Sequence, residues 1–308
     1  MNDRPSGRKV GVILSWSVSL TLLLVLAVIG LKFHKVTIQL EDVVGNIAKK
    51  SQILSQMKEN LLLSVEAEKS AVLSESDEES KAFATQSLQA IAAAEKGREE
   101  LDALIQSSNN DNEMKLLHEF DQCWTEFLKT EQTILNLAVQ NTNLKAARLS
   151  LTEANDAIQR FVHDLSKLIE TGSSSGNCEQ MAIPVLRAIT ACLHIHYLQM
   201  PHIKAAGDSE MDQIEAEMNA DRAEVERSLN ELSDLAEGKG KVLLTDARGA
   251  YNEFIEVTKA IVSLSRQNTN VKSLELSLGK KRAITAECGG ILSSLQEMVA
   301  SRTFKATR

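Results

Sequence analysis

The sequence predicts an all-α fold: an N-terminal transmembrane helix followed by two tandem antiparallel four-helix bundles. Three observations lead there. Ala, Leu, Glu, Lys, Ser and Gln dominate the 308 residues, whereas 3 prolines, 14 glycines and 4% aromatics leave little material for a turn-rich β fold. Apolar residues recur in steps of three, four and seven, the spacing of a single buried helical stripe. Most decisive is a repeat: Gln-Asn-Thr-Asn occurs at Gln140–Asn143 and again at Gln267–Asn270, 127 residues apart. The similarity continues through Glu126/Glu253, Phe127/Phe254, Leu137/Leu264, Lys145/Lys272, Leu149/Leu276, Ser150/Ser277 and Leu151/Leu278. Upstream the offset becomes 131, pairing Asp77 with Asp208 and Glu100-Leu101 with Glu231-Leu232, so a whole helical unit is duplicated.

The elements follow in order. Residues 1–9 are a short cytoplasmic N-terminus, and Val10 to Leu31 are 22 residues without a charge, long enough for about 33 Å of helix. Arg4, Arg8 and Lys9 precede the run and favour a cytoplasmic N-terminus, although Lys32 and Lys35 follow it. The run exceeds the roughly 7–15 apolar residues of a cleaved signal peptide, so segment 10–32 reads as an uncleaved anchor. A single pass through the cytoplasmic (inner) membrane then leaves the bulk of the chain extracytoplasmic.

The first bundle is expected over 35–171. Its first helix carries Ile38, Val43, Ile47, Ile53, Met57, Leu61, Leu62, Val65 and Val72 at helical spacing. Ser74–Asp77 turn into an acidic second-helix start, which suits the positive end of a helix. The third helix bears Leu117, Phe120, Trp124, Phe127 and Ile134. Asn141 is placed to take the left-handed stop conformation, and Thr142 or Asn143 to cap the fourth helix. The Gly/Ser run 172–177 reads as a linker, 178–303 as a second bundle on the same plan, and 304–308 as a tail. Pro201 is expected to kink the fifth helix.

A net charge of −8 without a Lys/Arg cluster argues against nucleic acid. The 4 cysteines contain no CxxC pair, against zinc fingers or c-type haem attachment. No Gly-rich phosphate loop, Gly-x-Ser-x-Gly or His-Glu-x-x-His occurs, and no enzyme activity is expected.

These features together resemble the extracytoplasmic sensor region of methyl-accepting chemotaxis proteins, in the four-helix-bundle family. The resemblance rests on the anchor running directly into the first helix and on Glu68-Lys69 ahead of the acidic second-helix start. It rests also on Trp124 or Tyr251 followed by Phe127 or Phe254, and on the polar tetrad leading into Leu144-Lys145-Ala146-Ala147-Arg148. It covers about residues 10–303, and the duplication is similar to the helical bimodular type. That type shares long helices between two modules, whereas the break at 172–177 predicts two complete units. The resemblance implies chemotaxis-type signal transduction, a small-molecule or protein ligand in the periplasm, and a homodimer through the first and fourth helices. The sequence shows no second apolar run, HAMP linker or cytoplasmic signalling part, so the expectation is a sensor region separated from its output or acting through a partner.

Candidate site residues fall in two groups. Cys192 and His196 share a helix face, and Cys288 sits at a similar level if helices five and eight are neighbours. That permits a Cys192–Cys288 disulfide or a metal or haem site of Cys192, His196 and Cys288, beside the plainer reading of core packing. Otherwise no cofactor is expected. Arg187, His194, Tyr197, Arg248 and Tyr251 in the second unit, and Trp124 and Arg148 in the first, are candidates to hold an anionic ligand between helices, with His118 and Lys145 beside them. The plainer reading of each, as a surface ion pair or a core aromatic, stands ahead of ligand binding. The rival to a sensor is an adaptor coiled coil with no small ligand, and a polar cavity in a bundle is what separates the two.

Overall fold

The structure, a computed structural model, describes residues 44–108, 110–175 and 178–306. The expected membrane segment Val10–Leu31 and its flanks lie outside the described residues. Within them the chain is helical, with no strand. Helix α1 covers 44–73, and the Ser76 hydroxyl caps the next helix by accepting the Glu79 N–H at 3.2 Å. Helix α2 (Asp77–Ser108) opens on Asp77, Glu78 and Glu79, and α3 spans Asp111–Ala138. Helix α4 (Thr142–Leu149) passes through a π turn at Ser150–Ala154 into α5 (Asn155–Ser175). Then come α6 (Cys178–Lys204), α7 (Asp208–Leu235) and α8 (Lys239–Gln267), the last entered through Gly238 at φ +50°. Helix α9 (Thr269–Leu276) leads through a second π turn, Ser277–Lys281, into α10 (Arg282–Ala306). The second π turn falls on the residues that the 127-residue offset pairs with the first.

One sequence expectation meets a different local structure. Helix α5 runs through Gly172 to Ser175, so most of the expected linker is the end of a helix. Helix α6 holds both Pro184 and Pro201 within its length. Among the described residues α6 alone is long and apolar enough to cross a membrane, with a mean hydropathy of 1.4. Yet it buries Met181, Val185, Ala188, Cys192, Ile195 and Leu198 in the core, which accounts for its apolar character.

Asn141 (φ 50°) and Asn268 (φ 53°) adopt the left-handed conformation, as a helix-stopping asparagine should. The caps that follow are not supplied by their own helices. The Thr142 N–H donates to Thr269 Oγ1 and the Thr269 N–H to Thr142 Oγ1, both at 3.2 Å. The Asn143 N–H donates to Asn270 Oδ1 and the Asn270 N–H to Asn143 Oδ1, again at 3.2 Å. Asn143 Nδ2 donates to Asn268 Oδ1 at 2.8 Å, and Asn270 Nδ2 to Asn141 Oδ1 at 3.0 Å. Each copy of the tetrad thus caps the other with local two-fold symmetry, and all but Gln140, Gln267 and Asn270 of the eight residues are buried.

The contacts also divide the chain differently from a cut at 172–177. Among the described residues one unit holds those up to Leu61, Ile91–Cys123 and those from Glu287; the other holds Leu62–Ala90 and Trp124–Ala286. Helices α1, α2, α3 and α10 therefore each contribute to both. In the larger unit the fourth helix of the first repeat packs with the second repeat: Ile158, Phe161 and Leu165 share a core with Val185, Ile195, Leu229 and Phe254. The fourth helix of the second repeat joins the first instead. Leu276 packs with Ala71, Val72, Ala84, Ile134 and Leu135, and Lys280 pairs with Glu126. The smaller unit shows the same exchange, with Cys288 of α10 bonded to Cys123 of α3 and Lys58 donating to Ser293 at 3.0 Å. Its buried Cys288, Leu292, Leu295 and Val299 keep the four-three-four spacing of a bundle seam. The two fourth helices present the same apolar stripe, so periodicity cannot say which partner each takes. The reciprocal capping does, because it holds the two turns side by side.

Replacing Asn143 or Asn270 by Ala is expected to cost about 1–3 kcal/mol each, since buried partners lose their hydrogen bonds. The double variant should fall short of the sum in urea unfolding, because the two side chains serve one junction. Reduction of Cys123–Cys288 should lower stability by about 2–5 kcal/mol in the same assay, given the long loop that it closes.

Candidate functional site

The π turns turn a serine inward in each copy, Ser150 in one and Ser277 in the other, both 1% exposed. Around Ser150 the interior polar groups form a continuous chain. Its hydroxyl donates to Gln199 Oε1 at 2.7 Å, Gln199 Nε2 donates to Thr258 Oγ1 at 2.9 Å, and Thr258 donates to the Phe254 carbonyl at 2.8 Å. The Ser150 carbonyl accepts from His196 Nε2 at 3.0 Å. A buried amide is tolerated when its donors and acceptors are paired in this way.

The corresponding positions around Ser277 are charged. Offsets of 131 and 127 set Glu68 against Gln199, Glu131 against Thr258, and Lys281 against Ala154. Glu68, Glu131, Ser277 and Lys281 are at most 1% exposed. Lys281 Nζ lies 2.5 Å from Glu131 Oε2, donates to the Phe127 carbonyl at 3.3 Å and sits 2.9 Å from the Phe127 ring centroid. The Ser87 hydroxyl donates to Glu131 Oε1. Neither carboxyl oxygen of Glu68 has a hydrogen-bond partner, and the Ser277 hydroxyl has none. Burial pushes Glu68 up to about 7; Ser277 beside it and Lys281 oppose the rise, and Glu131 adds to it. Burial likewise brings Lys281 down to about 8, against the pull of Glu131.

A cleft of about 290 Å³ opens among α6, α7 and α8. Ile195, Met218, Ile255 and Val262 give it apolar walls, and Arg222, Lys259, Asn219, Glu215 and Ser263 bring polar groups to the same space. Thr258 belongs both to this lining and to the Ser150–Gln199 chain. Arg222 is held by Glu226 at 3.1 Å and Lys259 by Glu256 at 2.6 Å. Glu215 bridges Arg266 (2.6 Å) and the buried His202 (2.9 Å). Burial alone would raise the Glu215 carboxyl, but these two hydrogen bonds outweigh it and bring it below the usual range.

The residues singled out from sequence scatter over several places. Arg187 and His194 do share a groove, with Asp221 and Glu224, but both are paired to acids: Arg187 to Glu231 at 3.7 Å and His194 to Asp221 at 2.6 Å. Tyr197 is 69% exposed beside the His194 ring. Arg248 donates to the Leu229 carbonyl and Asn230, at a separate groove. Tyr251 is a core aromatic packed on Phe161, with its hydroxyl reaching the Arg222 carbonyl at 3.5 Å. Trp124 is likewise core, stacked on Phe127. Arg148 and His118 are exposed, and Lys145 ties α4 to Asp77 at 3.0 Å.

The sulfur expectation is corrected. Cys288 is bonded to Cys123 in one unit, while Cys192 is a free, fully buried thiol in the other, its pKa pushed up to about 12 by burial. Helix exchange is the physical reason, since it bonds α10 to α3. This removes both the Cys192–Cys288 disulfide and the Cys192, His196 and Cys288 metal or haem set, and among the described residues no His/Cys/Asp/Glu group forms a metal cluster. The interior positions Glu68, Glu131 and Lys281, and the cleft residues Glu215, Arg222 and Lys259, were missed. The repeat offsets carry a signal for the former, a charge aligned with a neutral polar residue on a buried stripe.

Residues 10–180, more than half of the chain, match a family described as the four helix bundle sensory module for signal transduction. The chain belongs to this family. No curated protein matches it. The family is a signal-transduction module and not a catalytic one. The match spans the first repeat and the start of α6, although the structure sends the fourth helix of that repeat to the second.

Replacing Lys281 by Met should be strongly destabilising, by about 3–5 kcal/mol at neutral pH, because Glu131 is left buried without its counter-charge. Urea unfolding of the two proteins side by side checks this.

Proposed function

We propose that this sensory module is a membrane-anchored, extracytoplasmic receptor of the chemoreceptor type that binds a small anionic or zwitterionic molecule between α6, α7 and α8. The observation that carries the reading is the cleft, in which Arg222 and Lys259 meet an apolar floor, each held by a neighbouring glutamate of its own helix in a surface pair that a ligand carboxylate can displace. An organic acid or amino acid matches that combination, with its carboxylate on the guanidinium fork and its body on Ile195, Met218 and Ile255. Binding favours one of two helix packings, and displacement of a terminal helix carries the change towards the membrane through the anchor Val10–Leu31. Pairing of two copies through α1 and the fourth helices completes the receptor. No cofactor is needed. A mixed polar and apolar cleft supports this reading over an adaptor without a small ligand.

Isothermal titration of the full chain against organic acids and amino acids tests it. At least one should bind, and Arg222→Ala should weaken that binding by about tenfold or more, ~1.4 kcal/mol, with the thermal midpoint little changed because the side chain is half-exposed and its ion pair lies at the surface. Absence of any binder across both panels rejects the cleft as a ligand site.

A further inference from the structure

The Glu68 cluster has a composition that packing alone does not explain. When all three groups are ionised, one ammonium faces two carboxylates in a site closed to solvent, leaving an excess negative charge. Lys281 is committed to Glu131, and Ser87 on α2 donates to that same carboxylate. From its own helix Glu68 feels Lys69, from α3 Glu131, and from the π turn Lys281 and Ser277; α2 contributes Ser87 and no charge. Both Glu68 oxygens remain without a hydrogen bond at 0% exposure. Uptake of one proton converts the cluster to a neutral acid beside a balanced ion pair. The other copy meets the same space with Gln199, Thr258, Ser150 and Ala154, whose polar side chains are hydrogen-bonded and do not titrate.

We propose that Glu68 is a proton-binding site and that this sensory module responds to pH through it, with Lys281 and Glu131 as counter-groups and the contact of α1 with the start of α10 as the element that moves. The site shares no residue with the cleft, so it stands or falls independently of small-molecule binding. Neutral Glu68 leaves Lys281 to Glu131. Ionised Glu68 competes for the same ammonium and draws α1 and the π turn into a different packing.

The sign follows from linkage. The Glu68 carboxyl is raised from 4.5 to about 7, so the folded state holds the proton more tightly and stability falls as pH rises through that interval. Lys281 is lowered from 10.5 to about 8, so stability returns as pH rises beyond that value. The least stable interval lies between the two folded-state values.

The test uses the full chain in lipid nanodiscs, wild type against Glu68→Gln, the residue that the other copy carries. Infrared difference spectra of the wild type should show a protonated-carboxyl band lost with a midpoint near 7, and E68Q should lack it. The unfolding constant of the wild type should rise by about sixtyfold from pH 5 to 7.5 relative to E68Q. Nitroxides at L73C and R282C, in a C178S background, should report an α1–α10 distance that shifts with the same midpoint in wild type and stays fixed in E68Q. Absence of the band at pH 6 overturns the proposal, as does a band that titrates while the distance stays constant. Should E68Q fail to fold, the wild type decides by itself: a common midpoint for band and distance supports the proposal, and separate midpoints overturn it.

Discussion

The fold hangs on six residues, Asn141–Asn143 and Asn268–Asn270, that bond to one another across two turns. A helix start exposes N–H groups without intrahelical partners, and usually a residue just upstream supplies the oxygen. Here the oxygens come from a turn 127 residues away in the chain, and the favour is returned. Neither tetrad can leave without stranding buried donors on the other. The left-handed Asn141 and Asn268 make each turn tight enough for this approach, and their side-chain oxygens accept from the opposite tetrad as well. Exchange of the fourth helices then follows from geometry: two turns held side by side deliver their outgoing helices to each other's partners.

Duplication also produced two interiors with opposite electrostatic character on one backbone plan. Both keep the π turn and its buried serine, and both place a polar residue of the repeat's first helix against it. In one copy the polar residues pass hydrogen bonds along a chain and have no need of charge. In the other, three ionisable groups are held out of water, an arrangement that hydrophobic residues of similar volume would often better in stability. The neutral counterpart beside it shows that the same backbone plan closes without charge. The α6–α8 cleft shares Thr258 with the neutral interior, so the proposed solute site and the proposed proton site use different residues.

Helical class, element order and turn positions were legible in the sequence because period and repeat report them directly. The stop at Asn141 and Asn268 was readable from residue type and position. Assignment of fourth helices was not, since internal similarity makes either pairing equally consistent with the apolar stripe, and the disulfide partner of Cys288 went with it. Among the candidate residues, Tyr251 and Trp124 drew notice for their chemistry but serve as core, while Arg187 and His194 were found in one groove with their charges already matched. Glu215, Arg222 and Lys259 sit on a helix surface rich in charge, where nothing in composition distinguishes a cleft wall from a solvated face. Glu68 was visible as a charge within an apolar stripe, but its isolation from hydrogen-bond partners depends on residues from three other segments.

Exchange of the fourth helices has a consequence for biosynthesis. Helices α1 to α3 leave the ribosome long before α10, and pairs such as Lys58 with Ser293 are separated by 235 residues. Contacts of that separation close slowly, and the apolar stripes waiting for them are exposed in the meantime. Cys123 must remain a thiol until Cys288 arrives, while Cys178 and Cys192 pass it first and offer mispairing. A chain of this design therefore keeps unpaired apolar stripes and unpaired thiols exposed for longer during synthesis than its simple helical content suggests.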